Sequence, residues 1–552
     1  MADDSDFEKA SATKAYSADS IKEGEILADG PEYAGASEAH QGQLKRNFKP
    51  RHMAMISLGG CLGSGVFVSS GKALRYGSFP GFLIGWVLIA VTMILALRVL
   101  SEASILFPTS GSFIDHASRF VDPALGFACG FCLWLAWTVS LASEGAIFSI
   151  VVSYWTDAIP VPALMTIYLL VVFFIHAMPN TWFGEFEFIV STLKVGILLL
   201  IIFALIAFLA GAGPTGTTQH YQNFTELDAF PNGYKGIVQS MILAAWAIAG
   251  LELIGITNGE ASSPRVSLPR AQGLLMTRII VLLTPAFAFV LMLVPYTSPS
   301  LLGTSNAASS PFVVAMNQAG LVRGLPDLIN AIIILSLFAI GAEALYLSSR
   351  IATAMARMGM FPAFMGKVDK AGRPIWSLAT GATIGLVLTY VNCSSGGALM
   401  FTWLSSLTSI VFLIDPIVVG VTNLRMRRAL ALQGDAGLQG RYAYTVRWWP
   451  LEPILLILAL SFCLVSALYL AVAPMDPAAD RVQSFFELFL TAPIFVVAFV
   501  GYKLVFRTKL VDPATADLVS GRRAVSEADM LALDAYAALP LWRRVVSYLQ
   551  MN

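Results

Sequence analysis

The sequence predicts an all-α membrane protein with about twelve transmembrane helices. Of its 552 residues, 57% are hydrophobic and only 13% are charged, whereas soluble domains carry roughly 25% charged residues. Long apolar runs alternate with short polar connections along the chain, and a bilayer core requires about 20 mostly apolar residues per helix. Composition and patterning therefore exclude a string of soluble domains.

The apolar runs define twelve predicted spans, numbered here in chain order. They lie near 53–71, 80–106, 124–155, 161–179, 188–211, 236–258, 273–295, 326–356, 376–391, 398–424, 450–473 and 484–506. Five spans would form a first repeat and five a second repeat, leaving spans 11 and 12 as additions. The predicted domains are a tail at 1–50, a first repeat at 51–211, an extracellular loop at 212–235, a second repeat at 236–424, spans 11 and 12 with their preceding loop at 425–506, and a tail at 507–552.

The distribution of positive charge predicts the orientation. Lys and Arg are concentrated in alternate loops, chiefly after spans 8 and 10, and basic loops stay in the cytoplasm. With twelve spans both tails are then cytoplasmic. Two glycosylation sequons, at Asn223 and Asn392, fall in loops assigned to the outside.

The two tails differ in character. The N-terminal tail is acidic and poor in large apolar residues, so we expect it to be disordered. Its lysines Lys9, Lys14 and Lys22 could receive ubiquitin and direct endocytosis, or the tail could simply be solvated. Near the other end, residues 526–548 resemble a short amphipathic helix that could rest on the inner leaflet.

The first span contains a cluster of glycines. Gly59, Gly60, Gly63 and Gly65 fall within seven residues, and glycine weakens a regular helix. One interpretation is an unwound segment, whose exposed backbone and helix end suit a carboxylate ligand. The other interpretation is close helix packing through small residues. The residues of this span alone favour neither.

The sixth span supports the first interpretation. It places Gly250 and Glu252 in the middle of an apolar run, five spans after the glycine cluster. Broken first helices in two successive five-helix units are what inverted repeats would give, with a binding site at the bilayer midplane.

Ionisable groups inside spans are costly and are functional candidates. Eight were identified: Arg98, Glu102, Glu144, Lys194, Glu252, Arg278, Glu343 and Asp415. The spacing of Arg98 and Glu102 predicts an i, i+4 pair, and Arg278, near a helix end, is expected to snorkel. The deeper amine at Lys194, among several carboxylates, suggests a network that carries protons or, alternatively, a static ion pair.

Other kinds of chemistry find little support. Equal numbers of basic and acidic side chains, 35 of each, give no electrostatic reason to expect nucleic acid as a partner. Cys129 and Cys132 have redox spacing but lie inside the third span, where packing is the better interpretation. The histidines lack metal-ligand spacing, and the sequence suggests no cofactor and no catalytic nucleophile.

Several motifs resemble those of the fungal amino acid permeases, the yeast amino acid transporter family of the amino acid, polyamine and organocation superfamily. The resemblance rests on residues 58–67, 70–74, 107–113, 118–127, 184–188, 194–195, 259–265, 268–269 and 368–374. It extends from about Leu44 to about Gln433 and fades afterwards.

The resemblance implies a substrate site and a coupling site. The substrate carboxylate would bind the backbone at Cys61, Gly63, Ser64 and Gly65. The substrate amino group would bind carbonyls near Trp246, Ala249 and Gly250, with Glu144 facing the substrate. Lys194 matches a lysine that replaces a sodium ion in sodium-coupled relatives, which favours proton coupling. The predicted coupling residues are Lys194, Glu252 and Glu343.

Three residues depart from the family pattern. Leu251 stands where a threonine is usual, Glu343 replaces a run of asparagine and serines, and Asp415 with Pro416 is predicted to break the tenth span. Glu343 could pair with Lys194 or alter selectivity.

The expected function is import of amino acids across the plasma membrane by proton symport and alternating access. The alternative is an amino acid sensor on the same fold with little net transport. An enzyme is a distant third possibility.

Overall fold

The computed structural model describes residues 50–178, 180–212, 218, 222–248, 250–258, 264–302, 310–319, 324–369, 372–391, 393, 395–476, 480–540 and 543–544. The chain is helical throughout this described part, in which no residue is assigned to a β-strand. The first ten helices are α1 (Pro50–Gly59), α2 (Ser64–Phe67), α3 (Ser69–Leu106), α4 (Phe113–Phe120), α5 (Pro123–Val152), α6 (Val161–Ala177), α7 (Asn180–Leu209), α8 (Gln222–Thr225), α9 (Gly233–Ile248) and α10 (Leu251–Asn258). The next ten are α11 (Pro264–Thr277), α12 (Thr284–Leu293), α13 (Pro311–Ala319), α14 (Leu325–Arg357), α15 (Ile375–Val391), α16 (Ser395–Leu432), α17 (Leu451–Val472), α18 (Arg481–Phe489), α19 (Thr491–Phe506) and α20 (Glu527–Ala538).

The predicted spans are confirmed in part. By length and composition, eight described helical segments could cross a membrane, or nine if the bent pair α18 and α19 counts as one. Three further apolar helical segments, at Ala54–Phe67, Val161–Ala177 and Ile375–Val391, are shorter. The chain is thus an all-helical, multi-span membrane protein.

The outer faces of the long helices are apolar. Phe203, Val497 and Leu504 are each at least 68% exposed, and a surface of large apolar side chains on such helices suits lipid rather than water.

The helices pack around a buried centre. α3 lies along α9, and α5 packs against both α14 and α16. α1 packs against α7 and α11. This arrangement brings the two glycine-containing segments of the sequence to the middle of the bundle.

The segment after the last long helix packs on one end of the bundle, which we call the tail-bearing end. The Val511 N–H donates to the Val121 carbonyl at 2.9 Å, and Arg119 donates to the Ser520 carbonyl. α20 is capped by Ser526 and is held to the loop before α17 by an ion pair between Asp534 and Arg441 of 2.8 Å. The predicted amphipathic helix therefore packs against other parts of the protein. Trp542, near its predicted end, falls outside the described residues.

The predicted pairing of Arg98 with Glu102 is wrong. Arg98 pairs with Glu452 at 2.9 Å, and Glu102 forms an ion pair with Arg427. Each side chain finds a partner on another helix, because Arg98 faces α17 and Glu102 faces α16 rather than the adjacent turn of α3.

The predicted break at Asp415 and Pro416 is also wrong. α16 continues from Ser395 to Leu432 with Pro416 inside it. A proline removes one backbone hydrogen bond, but neighbouring helices can compensate for that loss in a membrane helix. α16 packs against α5, α17 and α3, and this packing supports it on several sides.

Candidate functional site

The first span is interrupted at its glycine cluster. α1 ends at Gly59 and α2 begins at Ser64, and between them Cys61 has a positive φ of 56°. The glycines also permit close packing, since a Cβ on Gly63 would lie 1.8 Å from Ile340 Cδ1 and one on Gly65 would lie 3.0 Å from Trp246 Cδ1. Both interpretations of the cluster are therefore correct: the helix is broken and it is tightly packed.

The sixth span has a matching interruption. α9 ends at Ile248 and α10 begins at Leu251, with Gly250 at a φ of 139° that L side chains rarely adopt. The Gly250 N–H donates to Glu252 Oε2 at 3.1 Å, so the acidic residue that follows the break satisfies one of its free backbone groups. Ala249 lies outside the described residues.

A single arginine joins the two breaks. Arg278, only 1% exposed, donates through Nη1 to the Gly60 carbonyl in the first break. Through Nη2 it donates to the Ile248 carbonyl in the second break at 3.3 Å. It is the first residue of a π-helical segment, Arg278–Leu283, between α11 and α12. The expectation that Arg278 snorkels is wrong, because these backbone carbonyls bind its guanidinium inside the bundle.

Two buried carboxylates complete the first break. Glu343 Oε2, on α14, accepts a hydrogen bond of 3.1 Å from the Cys61 N–H. Glu144 Oε1, on α5, accepts one of 2.5 Å from Ser64 Oγ. The Cys61 amide, which the resemblance assigned to the substrate carboxylate, is thus occupied by a side chain in this conformation.

Lys194 lies in a charged cluster on α7. Its Nζ is 3.7 Å from Glu187 Oε1, and both side chains are fully buried. Ser191 Oγ donates to the same oxygen at 2.8 Å. Glu343 interacts electrostatically with both Glu187 and Lys194. The direct ion pair is therefore with Glu187, and Glu343 joins the cluster from the opposite helix.

Glu187 was not identified from the sequence. A signal was present, because Glu187 and Lys194 are seven residues apart and so lie two turns apart on one helix face.

A small cavity lies beside the first break. Its volume is about 20 Å³, which is space for about one water molecule. It is lined by Cys61, Trp137, Ser140, Glu144, Trp246, Ile340 and Phe412. The structure thus brings together three predicted site residues, Cys61, Glu144 and Trp246.

The other predicted site residues that the structure describes do not line this cavity. Ser64 contacts Glu144, and Gly250 lies against Arg278. Of the lining residues that sequence reasoning missed, Trp137 and Ser140 lie seven and four residues before Glu144. Helical spacing places them on the same face of α5, whereas Phe412 comes from α16 and had no comparable signal.

The cysteine pair and Asp415 form a separate contact. Cys129 Sγ donates to Asp415 Oδ1 at 3.0 Å, and Cys129 and Cys132 are both free thiols. Across the described residues, no group of three or more His, Cys, Asp or Glu side chains has an arrangement suited to a metal ion.

Comparison with known proteins extends the resemblance noted above. The amino acid permease family matches residues 52–512, so the likeness does not fade after Gln433 as the sequence motifs suggested. General amino-acid permease GAP2 of Candida albicans is 33% identical over 512 residues, covering 91% of this chain and 86% of that protein. General amino-acid permease GAP1 of Saccharomyces cerevisiae is 32% identical over 534 residues, covering 92% and 86%. Histidine permease of Saccharomyces cerevisiae is 30% identical over 508 residues, covering 87% and 81%.

Solved structures were also compared. The manganese transporter of Eremococcus coleocola, in complex with an aromatic bis-isothiourea substituted compound, aligns with a TM-score of 0.48 and 12% identity, covering 83% of this chain and 94% of that one. A Na⁺-coupled sialic acid symporter in a substrate-bound outward-open state aligns with a TM-score of 0.44 and 14% identity, covering 76% and 89%.

Proposed function

Since the chain belongs to the amino acid permease family, we propose that it imports amino acids across the plasma membrane by proton symport and alternating access. Membership of this family makes it a multi-pass membrane transporter and not an enzyme. The coupling, the direction and the membrane are the parts of this function that we propose.

The observation that carries the proposal is the meeting of two interrupted helices at a buried cavity. The breaks at Gly60 to Gly63 and at Gly250 lie five predicted spans apart, as two inverted five-helix repeats would place them. On this basis twelve helices cross the membrane and both tails are cytoplasmic. The N-terminal lysines, which could recruit ubiquitin, lie outside the described residues.

The proposed substrate site combines backbone and side chains. Backbone at Cys61, Gly63, Ser64 and Gly65 would bind the substrate carboxylate, and carbonyls near Trp246, Ala249 and Gly250 would bind its amino group. Glu144 would lie beside the substrate, because it lines the cavity. A cavity of about 20 Å³ must widen to admit an amino acid.

The proposed coupling site is the cluster of Lys194, Glu187 and Glu343, with Glu252 at the second break. A buried ammonium 3.7 Å from a carboxylate can change its partner when a proton arrives or leaves. A proton moving through the cluster would then alter the contact between Glu343 and Cys61, and so the first break.

Uptake of one radiolabelled amino acid in a host without its own permeases tests this function. All twenty amino acids are used as competitors, with and without a protonophore. We expect concentrative uptake, competition by a subset of amino acids and collapse with the protonophore. Uptake that persists unchanged with the protonophore would refute proton coupling, and binding without uptake would favour the sensor.

A further inference from the structure

The polar backbone groups exposed by the two breaks follow one pattern. In the first break the Gly60 carbonyl accepts from Arg278 and the Cys61 N–H donates to Glu343. In the second break the Ile248 carbonyl accepts from Arg278 and the Gly250 N–H donates to Glu252. Each break therefore has one carbonyl held by the same guanidinium and one amide held by a glutamate.

The guanidinium is suited to this position for a physical reason. The Gly60 carbonyl directly follows α1 and the Ile248 carbonyl ends α9. Both therefore lie at a helix C-terminus, where carbonyls lack helical partners and the helix dipole is negative. Arginine presents several N–H groups in a rigid fork, so it can bind two acceptors at a fixed separation, whereas lysine offers a single compact ammonium.

The local backbone also fits this arrangement. Arg278 begins a π-helical segment. Such segments are rare in proteins overall, but those that occur are often at functional sites. A Cβ on Gly250 would lie 3.2 Å from Arg278 Nη2, so the glycine leaves room for the guanidinium. Glu252 and Glu343 interact electrostatically with Arg278 and partly balance its charge.

We infer that Arg278 is a positioning residue that sets the separation of the two breaks and thereby the affinity for substrate. This inference rests on the proposed transport function. Arg278 does not line the cavity; it acts on the substrate site through Gly60 and Ile248. By occupying these two carbonyls, it also keeps them from competing for the substrate's amino group.

The test compares Arg278→Lys and Arg278→Gln with the unmodified chain in the uptake assay, normalised to protein at the cell surface. Loss of a charged hydrogen bond corresponds to roughly a tenfold change in an equilibrium. We expect both variants to raise the half-saturation concentration by about that factor, with a smaller change in maximal rate. Lysine should not rescue, because it cannot bridge both carbonyls. Arg350→Gln is the control. It removes another buried arginine, on α14, and so shows how much the loss of any buried arginine costs in folding.

An ester in place of the Ile248–Ala249 peptide bond provides a second test that retains Arg278. An ester carbonyl is a weaker acceptor, so we expect a rise in half-saturation concentration in the same direction. An unchanged half-saturation concentration in the ester-containing protein, or in either Arg278 variant, would overturn the inference while leaving transport established. Absence of uptake by the unmodified chain would instead count against the proposed function.

Discussion

At the scale of single residues, the buried charges are arranged around backbone that the helices leave exposed. An unpartnered backbone group or charge is costly in hydrocarbon, so each break is stable only with the side chains that bind it. Lys194 differs from these side chains, since its nearest partner is the carboxylate of Glu187 rather than backbone. This difference is the reason that the proposed coupling role is tested at Lys194.

Replacing Lys194 with alanine should abolish concentrative uptake. The change leaves the Glu187 carboxylate buried without its cation, so the cluster can no longer alternate between charge states. The measurement is accumulation of labelled substrate above its external concentration, with surface protein quantified in parallel. Lys235→Ala is the matched control, because Lys235 is half-buried on α9 and donates to the Pro474 carbonyl instead. Normal accumulation by Lys194→Ala would contradict the coupling role.

The sequence predicts part of this residue-scale arrangement. The glycine cluster of the first span, and Gly250 beside Glu252 in the sixth, predict where the backbone is interrupted, because glycine weakens a helix. The partners of Arg98, Glu102 and Arg278 could not be predicted, since each lies on a helix far away in sequence. Spacing along one helix identifies shared faces, but it does not show which helix a face meets.

At the scale of helices, Asp122 connects the start of α5 to the end of α19. Its Oδ1 accepts from the Ala124 N–H at 2.9 Å, capping α5, and from Thr508 Oγ1 at 2.8 Å. Its Oδ2 accepts from Lys503, in the last turn of α19. Burial tends to raise the pKa of Asp122, but the hydrogen bonds from Lys503, Ala124 and Thr508 outweigh it and lower this pKa below its ordinary value.

Asp122→Ala should lower thermal stability in a way that depends on pH. Loss of an N-cap costs about 0.5–2 kcal/mol, and contacts with Thr508 and Lys503 are lost as well. Because the folded pKa is lowered, this stabilisation is present above the unfolded pKa of about 3.9 and is lost as pH falls through the folded pKa. The difference in melting temperature between the variant and the parent should thus be constant near neutrality and shrink in acid. A difference that does not shrink would contradict a role for the ionised carboxylate.

At the scale of the whole molecule, Glu102 joins three parts of the tail-bearing end. Its carboxylate lies at the end of α3 and pairs with Arg427 of α16. It also accepts from the Val446 N–H at 2.8 Å and from Asn423 Nδ2 at 3.0 Å. The loop before α17 is thereby fixed to the helices on which the tail rests.

Glu102→Ala should be strongly destabilising. Removing one partner of a buried ion pair typically costs about 3–5 kcal/mol, and the Arg427 side chain here is only 17% exposed. Asp534→Ala is the control, because its ion pair with Arg441 has side chains 42% and 61% exposed and such pairs contribute about 1 kcal/mol or less. Unfolding in detergent, followed by tryptophan fluorescence, should separate the two variants clearly. Equal effects would show that Glu102 is not central to this end.

The overall architecture follows from the sequence more directly than the tail does. Most apolar runs are long enough to cross a bilayer as helices, so eight or nine of the predicted spans are found as helices that could do so. The docking of residues 507–540 depends on individual hydrogen bonds, such as that between Val511 and Val121, and no periodicity in the sequence predicts these.

The narrowness of the cavity beside the first break has a consequence for measured affinities. If only a small fraction of molecules is wide enough to accept a solute at any moment, the apparent dissociation constant equals the intrinsic one divided by that fraction. Substitutions that loosen the narrow form would then tighten apparent binding without touching the solute. The measured affinity would then depend as much on how often the cavity widens as on how well the solute fits it.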